Sequence, residues 1–151
     1  MKHLLCVFIV LAAFTLNAET IVPAGPVQGS WDQAGSPYRV TGNLSIPAGA
    51  SLLVNEGVQV IIEGTYRIDV TGRMQTAGTA LNPISFTAQD TLNGWSGIRF
   101  QDGSGAGLPP SGFTFTNFSY GKAIWGSGAQ DPLNYGGAIW ANNSGTISFD
   151  D

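Results

Sequence analysis

The chain has 151 residues, 21 of them glycine, with only 11% charged residues and a formal net charge of −4. Sparse Lys and Arg argue against a nucleic-acid partner, whose binding rests largely on phosphate neutralisation. Low charge with many glycines and aromatics describes an all-β chain rich in turns rather than a disordered one, and the length suits one domain.

The first element is a leader. Met1-Lys2-His3 precedes an apolar run from Leu4 to Leu16, and Ala18 offers a small residue for cleavage. This is the pattern of a secretory signal peptide over residues 1–18. A membrane-spanning helix needs roughly 20 apolar residues, and this run stops at Asn17 and Glu19. Cys6 lies inside the run with no small residues before it, which argues against a lipid-anchoring cysteine. An exported protein with no transmembrane segment after cleavage is expected. Cleavage also removes the only His and the only Cys, which excludes a disulfide, Ser-His-Asp and Cys-His catalysis, and the usual zinc sites.

Residues 19–37 read as a lead-in or cap, with Trp31 and Pro37 ahead of the first coil. From Tyr38 onward, short runs alternate with period two. Val58, Val60 and Ile62 face one way; Ile68 and Val70, Ile84 and Phe86, Ile98 and Phe100, Phe113 and Phe115, and Ile147 and Phe149 repeat the pattern. Gly, Asn or Pro bounds nearly every run, as at Glu63-Gly64, Thr71-Gly72, Asn93-Gly94 and Asp102-Gly103. An antiparallel sandwich would also alternate. The runs are short, however, and recur in units of roughly 20–30 residues, the scale of a solenoid coil. The coils are divided as 38–57, 58–82, 83–110 and 111–145, with 146–151 opening another. Gly103–Gly112 and Gly126–Gly137 read as projecting loops. Inward residues should stack coil on coil, with Ile62, Phe86, Phe115 and Phe149 in one ladder and Val70, Phe100 and either Ile124 or Ile139 in another. The end at Ile147–Asp151 reads as a strand just entered, so further coils are expected downstream.

From Ser36-Pro37-Tyr38-Arg39-Val40-Thr41-Gly42-Asn43-Leu44 to Leu53-Val54-Asn55-Glu56-Gly57-Val58, and again at Val70-Thr71-Gly72-Arg73-Met74, Pro83-Ile84-Ser85-Phe86 and Gly94-Trp95-Ser96-Gly97-Ile98-Arg99-Phe100, the chain resembles the exported right-handed parallel β-helix proteins of bacteria, in the pectate-lyase-like superfamily. Gly136-Gly137-Ala138-Ile139 is similar to the turn and strand of polymorphic outer-membrane-protein repeats. The resemblance implies a right-handed parallel β-helix over residues 38–151 at the bacterial cell surface or outer membrane, or secreted. It does not choose an activity, because the superfamily holds polysaccharide lyases and hydrolases as well as adhesins without known chemistry.

The residues themselves show no catalytic set. Glycoside hydrolysis of the common kind needs two carboxylates ~5–9.5 Å apart. Glu56 and Glu63 precede glycines, Asp69 faces outward beside Arg67, and Asp90, Asp102 and Asp131 sit in separate loops. Lyases of the resembled superfamily use calcium held by several Asp, with Arg or Lys as base. Arg99 is the best-placed cation, turned outward by alternation, but without an acidic cluster it reads as a dispensable surface arginine. Neither metal nor cofactor is expected. Trp95 reads as packing. Trp125, Tyr135 and Trp140 flank the longest loop and are the candidate ligand contacts, since aromatic faces stack on sugars. Asn43, Asn117 and Asn142 match glycosylation sequons, which carry little weight if the source is bacterial, as the resemblance implies. The expected role is a non-catalytic surface or secreted β-helix contacting polysaccharide or host glycan. The alternative is the N-terminal part of a polysaccharide lyase or hydrolase whose active coils lie downstream.

Sequencing the N-terminus of the exported protein should read Glu19-Thr20-Ile21. A membrane-embedded product that keeps Met1 would rule the leader reading out.

Overall fold

The structure is a computed structural model that describes residues 19–101, 104–123 and 137–151. Fifteen short strands are formed in these residues, and no α-helix. They are β1 (Thr20–Val22), β2 (Gly25–Pro26), β3 (Gly29–Trp31), β4 (Tyr38–Val40), β5 (Leu44–Ile46), β6 (Ser51–Asn55), β7 (Gln59–Ile62), β8 (Ile68–Val70), β9 (Arg73–Ala77), β10 (Ile84–Ala88), β11 (Ile98–Phe100), β12 (Ser111–Thr114), β13 (Thr116–Phe118), β14 (Ile139–Ala141) and β15 (Ile147–Asp150).

Every third strand belongs to the same sheet. The orders β1-β4-β7-β10-β13, β2-β5-β8-β11-β14 and β3-β6-β9-β12-β15 make three five-stranded sheets, and all pairs are parallel. Successive strands lie in different sheets, and each pairs with the strand one coil away. The chain is a right-handed parallel β-helix of five coils, called here by its sheets A, B and C in that order.

The period-two pattern produces this coil because alternate side chains leave a strand on opposite faces. Val40, Leu44, Ile46, Leu52 and Val54 turn inward in the second coil, and Val58, Val60, Ile62, Ile68, Val70 and Met74 in the third; all are buried. Apolar area removed from water contributes roughly 25 cal/mol per Å², and each inward side chain has its counterparts one coil above and below. Two polar side chains of sheet C enter the core, Thr76 and Ser111, and the Ser111 hydroxyl accepts the Met74 N–H at 3.1 Å. Thr76 lies in register between Val54 and Phe113. Its hydroxyl lies 2.6 Å from that of Thr116 and accepts the Thr114 N–H at 3.1 Å, so its burial leaves no unmet hydrogen bond.

The observed register corrects the expected ladders. Phe86 lies between Val60 and Phe118, while Ile62 pairs with Ala88. Phe149 belongs to sheet C beside Phe113, their rings stacked at 5.4 Å, and is 60% exposed. Phe115 is in no ladder. It is the single residue between β12 and β13, half-buried, with φ of 41°. The second ladder continues from Val70 and Phe100 to Ala141, because Ile139 pairs with Ile98 and Ile124 lies outside the described residues. Alternation tells inside from outside but not which sheet a strand joins. The corner lengths settle that, and they vary.

The coil divisions shift for the same reason. Tyr38 to Gly57 and Val58 to Asn82 match the observed second and third coils, but β12 closes the fourth coil and β15 the fifth. The expected lead-in contains β1, β2 and β3, which form the first coil. Trp31 stacks on Tyr38 at 4.7 Å there.

Phe86→Ala is expected to lose about 3–5 kcal/mol of stability. Phe115→Gly removes a half-buried ring but suits a positive φ, which a bulky residue adopts only under strain, and should lose clearly less. Denaturant melts compare the two. A larger loss at Phe115 would restore it to the core.

Candidate functional site

With the inner positions filled by apolar side chains, functional groups are left to the outer faces and the corners. On sheet B the central outward row runs Ser45, Asp69, Arg99, Trp140 in strict register across β5, β8, β11 and β14. Adjacent members of such a row stand about 4.8 Å apart, set by strand spacing. Asp69 accepts from Arg67 Nε at 2.9 and 3.1 Å and from Gln101 Nε2 at 3.0 Å. The Arg99 guanidinium carbon lies 5.7 Å from the centre of the Trp140 ring, a cation–π contact.

Arg99 corrects an expectation. Its neighbours Ile98 and Phe100 do turn inward, so alternation sends Arg99 off the outer face as anticipated. It is nevertheless only 3% exposed. An outward direction does not mean solvent when the row beyond it ends in an indole that lies across the guanidinium. Arg99 is a covered residue of the sheet B face, not a solvent-exposed surface arginine.

Of the three aromatic candidates, Trp140 is half-buried on β14. Trp125 and Tyr135 lie outside the described residues, as do Asp102, Gly103 and Asp131. Trp95 is packing, as expected. It is 1% exposed, stacks on Phe86 at 6.3 Å, and its Nε1 donates to Ser119 O at 2.9 Å. Among the described residues no three His, Cys, Asp or Glu side chains converge as a metal site would require. Glu63 belongs to a charge ladder on sheet A, where Arg39 Nε lies 2.5 Å from Glu19 and 2.6 Å from Glu63 and the guanidinium also donates to Gln89.

A second feature went unread in the sequence. At the corner between sheets A and B, Thr65, Leu92, Asn93, Trp95, Ser96, Lys122 and Ala123 line a groove of about 280 Å³. Its rim is the turn after β10. There the Asp90 carboxylate accepts the N–H groups of Leu92 (2.9 Å) and Asn93 (3.2 Å) and the Asn93 side-chain amide (2.5 Å). The Asn93 amide, then the two backbone N–H groups, hold the Asp90 carboxyl below its ordinary value, with a smaller contribution from Lys122. Lys122 Nζ donates to Leu92 O and ties the turn to the fifth coil. Gly94, at φ +71°, is the residue the turn requires, because a Cβ there would lie 2.4 Å from Tyr120 O. The Asn93-Gly94 dipeptide marked this turn, but its carboxylate and its lysine are far apart in the chain.

No protein-family model, curated protein or solved structure matches the chain.

Arg99→Ala should cost about 1–3 kcal/mol, as the loss of a buried side chain packed on an aromatic ring does, where an ordinary surface change stays within about 0.5 kcal/mol. A double-mutant cycle with Trp140→Ala should return a coupling of about 0.5–2 kcal/mol. A neutral Arg99→Ala variant with zero coupling would reinstate the surface reading.

Proposed function

We propose that this protein is an exported, non-catalytic parallel β-helix of the pectate-lyase-like kind, secreted or held at the cell surface, where it contacts carbohydrate in an adhesive role. The signal-peptide pattern of residues 1–18 supports export. The three-sheet parallel coil, together with the motifs around Gly94-Trp95-Ser96-Gly97-Ile98, supports the superfamily.

The observation that carries the carbohydrate reading is the outer row of sheet B, which sets an indole in register with an arginine and a hydrogen-bonded carboxylate on one flat face. Sugars present apolar C–H faces edged with hydroxyls. An aromatic plane beside fixed donors and acceptors matches both. The alternative is the N-terminal part of a polysaccharide lyase or hydrolase whose active coils lie downstream; Arg99 in this row, only 3% exposed, is not open to an acidic sugar.

The full chain is tested for binding to a panel of neutral and acidic polysaccharides. Trp140→Ala should weaken binding about tenfold, the equivalent of one aromatic stacking contact. No binding to any polysaccharide, or binding that ignores Trp140, would sink the carbohydrate reading. Release of unsaturated products or new reducing ends during the assay would favour the enzyme instead.

A further inference from the structure

We propose that Asn93-Gly94 is a latched deamidation site, an intrinsic modification point at which the Asp90 carboxylate and the turn it nucleates hold the reacting groups apart. The chain contains no other Asn-Gly sequence. An Asn followed by Gly is chemically exposed because glycine has no side chain to hinder its backbone nitrogen. That nitrogen loses its proton to base and attacks the Asn side-chain carbonyl carbon. A C–N bond forms, the bond to Nδ2 breaks, and ammonia leaves with the proton. Water then opens the resulting succinimide at one of its two carbonyls, giving aspartate or isoaspartate at position 93. Nothing is oxidised or reduced, and the only co-reactant is water.

Three contacts oppose this sequence. The nucleophile is occupied, since Gly94 N–H donates to Asp90 O at 2.8 Å. The electrophile is held, since Asn93 Nδ2 donates to Asp90 Oδ2. The backbone between them is fixed, since Leu92 and Asn93 N–H both point at Asp90 Oδ1 in an Asx-type turn. Lys122 clamps the same turn from the next coil. Asn93 is exposed, so water reaches its side-chain carbonyl, whereas Gly94, which carries the attacking nitrogen, is buried, so burial at Gly94 adds to the protection by geometry. Because the Asp90 carboxyl titrates below its ordinary value, its contacts are intact above the usual carboxylate range and are lost only as pH falls through the depressed value.

Unlatching has consequences beyond position 93. Either product puts a second carboxylate at the rim of the corner groove, so that two carboxylates face the single Lys122 and the local charge becomes net negative. Isoaspartate also routes the chain through the side chain and lengthens the backbone by one carbon. Gly94 then cannot keep its close approach to Tyr120 O, nor Trp95 its two exchanges with the fifth coil, Trp95 N–H to Tyr120 O (3.1 Å) and Lys122 N–H to Trp95 O (2.8 Å). The modified protein should therefore melt lower at this corner, and its groove should prefer cationic groups.

The test incubates the full chain and a short Leu-Asn-Gly-Trp peptide at the same mildly alkaline pH and follows ammonia release and isoaspartate by mass spectrometry. The folded chain should react at least about tenfold more slowly than the peptide, the factor that one net hydrogen bond supplies. Asp90→Ala should bring the folded chain towards the peptide rate. Asp90→Asn keeps an oxygen for the two backbone N–H groups but turns an amide towards Asn93, and should fall between. Asn93→Gln should abolish the reaction. Equal rates in the folded chain and the peptide overturn the proposal, as does a folded Asp90→Ala variant with an unchanged rate. If Asp90→Ala fails to fold, the comparison of the unaltered chain with the peptide decides alone.

Discussion

Parallel backbone pairing from coil to coil is the interaction on which the rest of the molecule depends. Strands of two to five residues cannot stand alone, since isolated strand pairs are marginal in water. Here each strand of the three middle coils is held by a strand above and a strand below, and the pairing brings Val, Ile, Leu and Phe side chains of successive coils into contact inside a narrow tube. Backbone hydrogen bonds set the spacing and apolar burial supplies the drive. The tube is lost if either fails. A buried hydroxyl such as that of Thr76 is tolerated because neighbouring threonines satisfy it.

A filled tube also dictates where chemistry goes. The outer faces carry rows of side chains at strand spacing, and the rows differ in kind. On sheet A, Arg39 is paired with the carboxylates of Glu19 and Glu63 and donates to the neutral amide of Gln89, which leaves little to offer a ligand. On sheet B, Asp69 is satisfied by Arg67 and Gln101, and the row ends in an arginine against an indole. An aromatic plane is the element on that face able to contact a sugar without a compensating charge, which is why the binding proposal rests there. Surface ion pairs such as those of Arg39 contribute modestly to stability and are screened by salt.

The corners have a freedom that the strands lack. Between sheets C and A the chain turns with one residue at Phe115, with three at 56–58, and with six at 78–83. A corner can lengthen without disturbing coil pairing, because its ends are pinned by the flanking strands. The turn at Asp90 uses this freedom to build a local structure of its own, in which one carboxylate holds three N–H groups and a lysine from the next coil closes the turn.

Sequence alone determined the inward direction of most apolar strand positions, though not of Phe115. Val58, Val60, Ile62, Ile68, Val70, Ile84, Phe86, Ile98 and Phe100 are all buried as their alternation requires, because strand side chains alternate whatever the tertiary context. It also determined the solenoid, through short runs bounded by turn residues at a coil-sized interval, and the packing role of Trp95. It could not determine which sheet each strand joins. One corner of a single residue and others of six shift the partnership without altering any local pattern, so Phe149 sits beside Phe113 and Phe115 leaves the core. Nor could it determine the surroundings of Arg99. Alternation gives a side chain its direction, but the indole that lies across this one comes from a strand 41 residues later, brought into register only by coil closure. Asp90 and Lys122 met in the same way. Direction is local and is written in the chain, whereas neighbours across coils are a property of the stack.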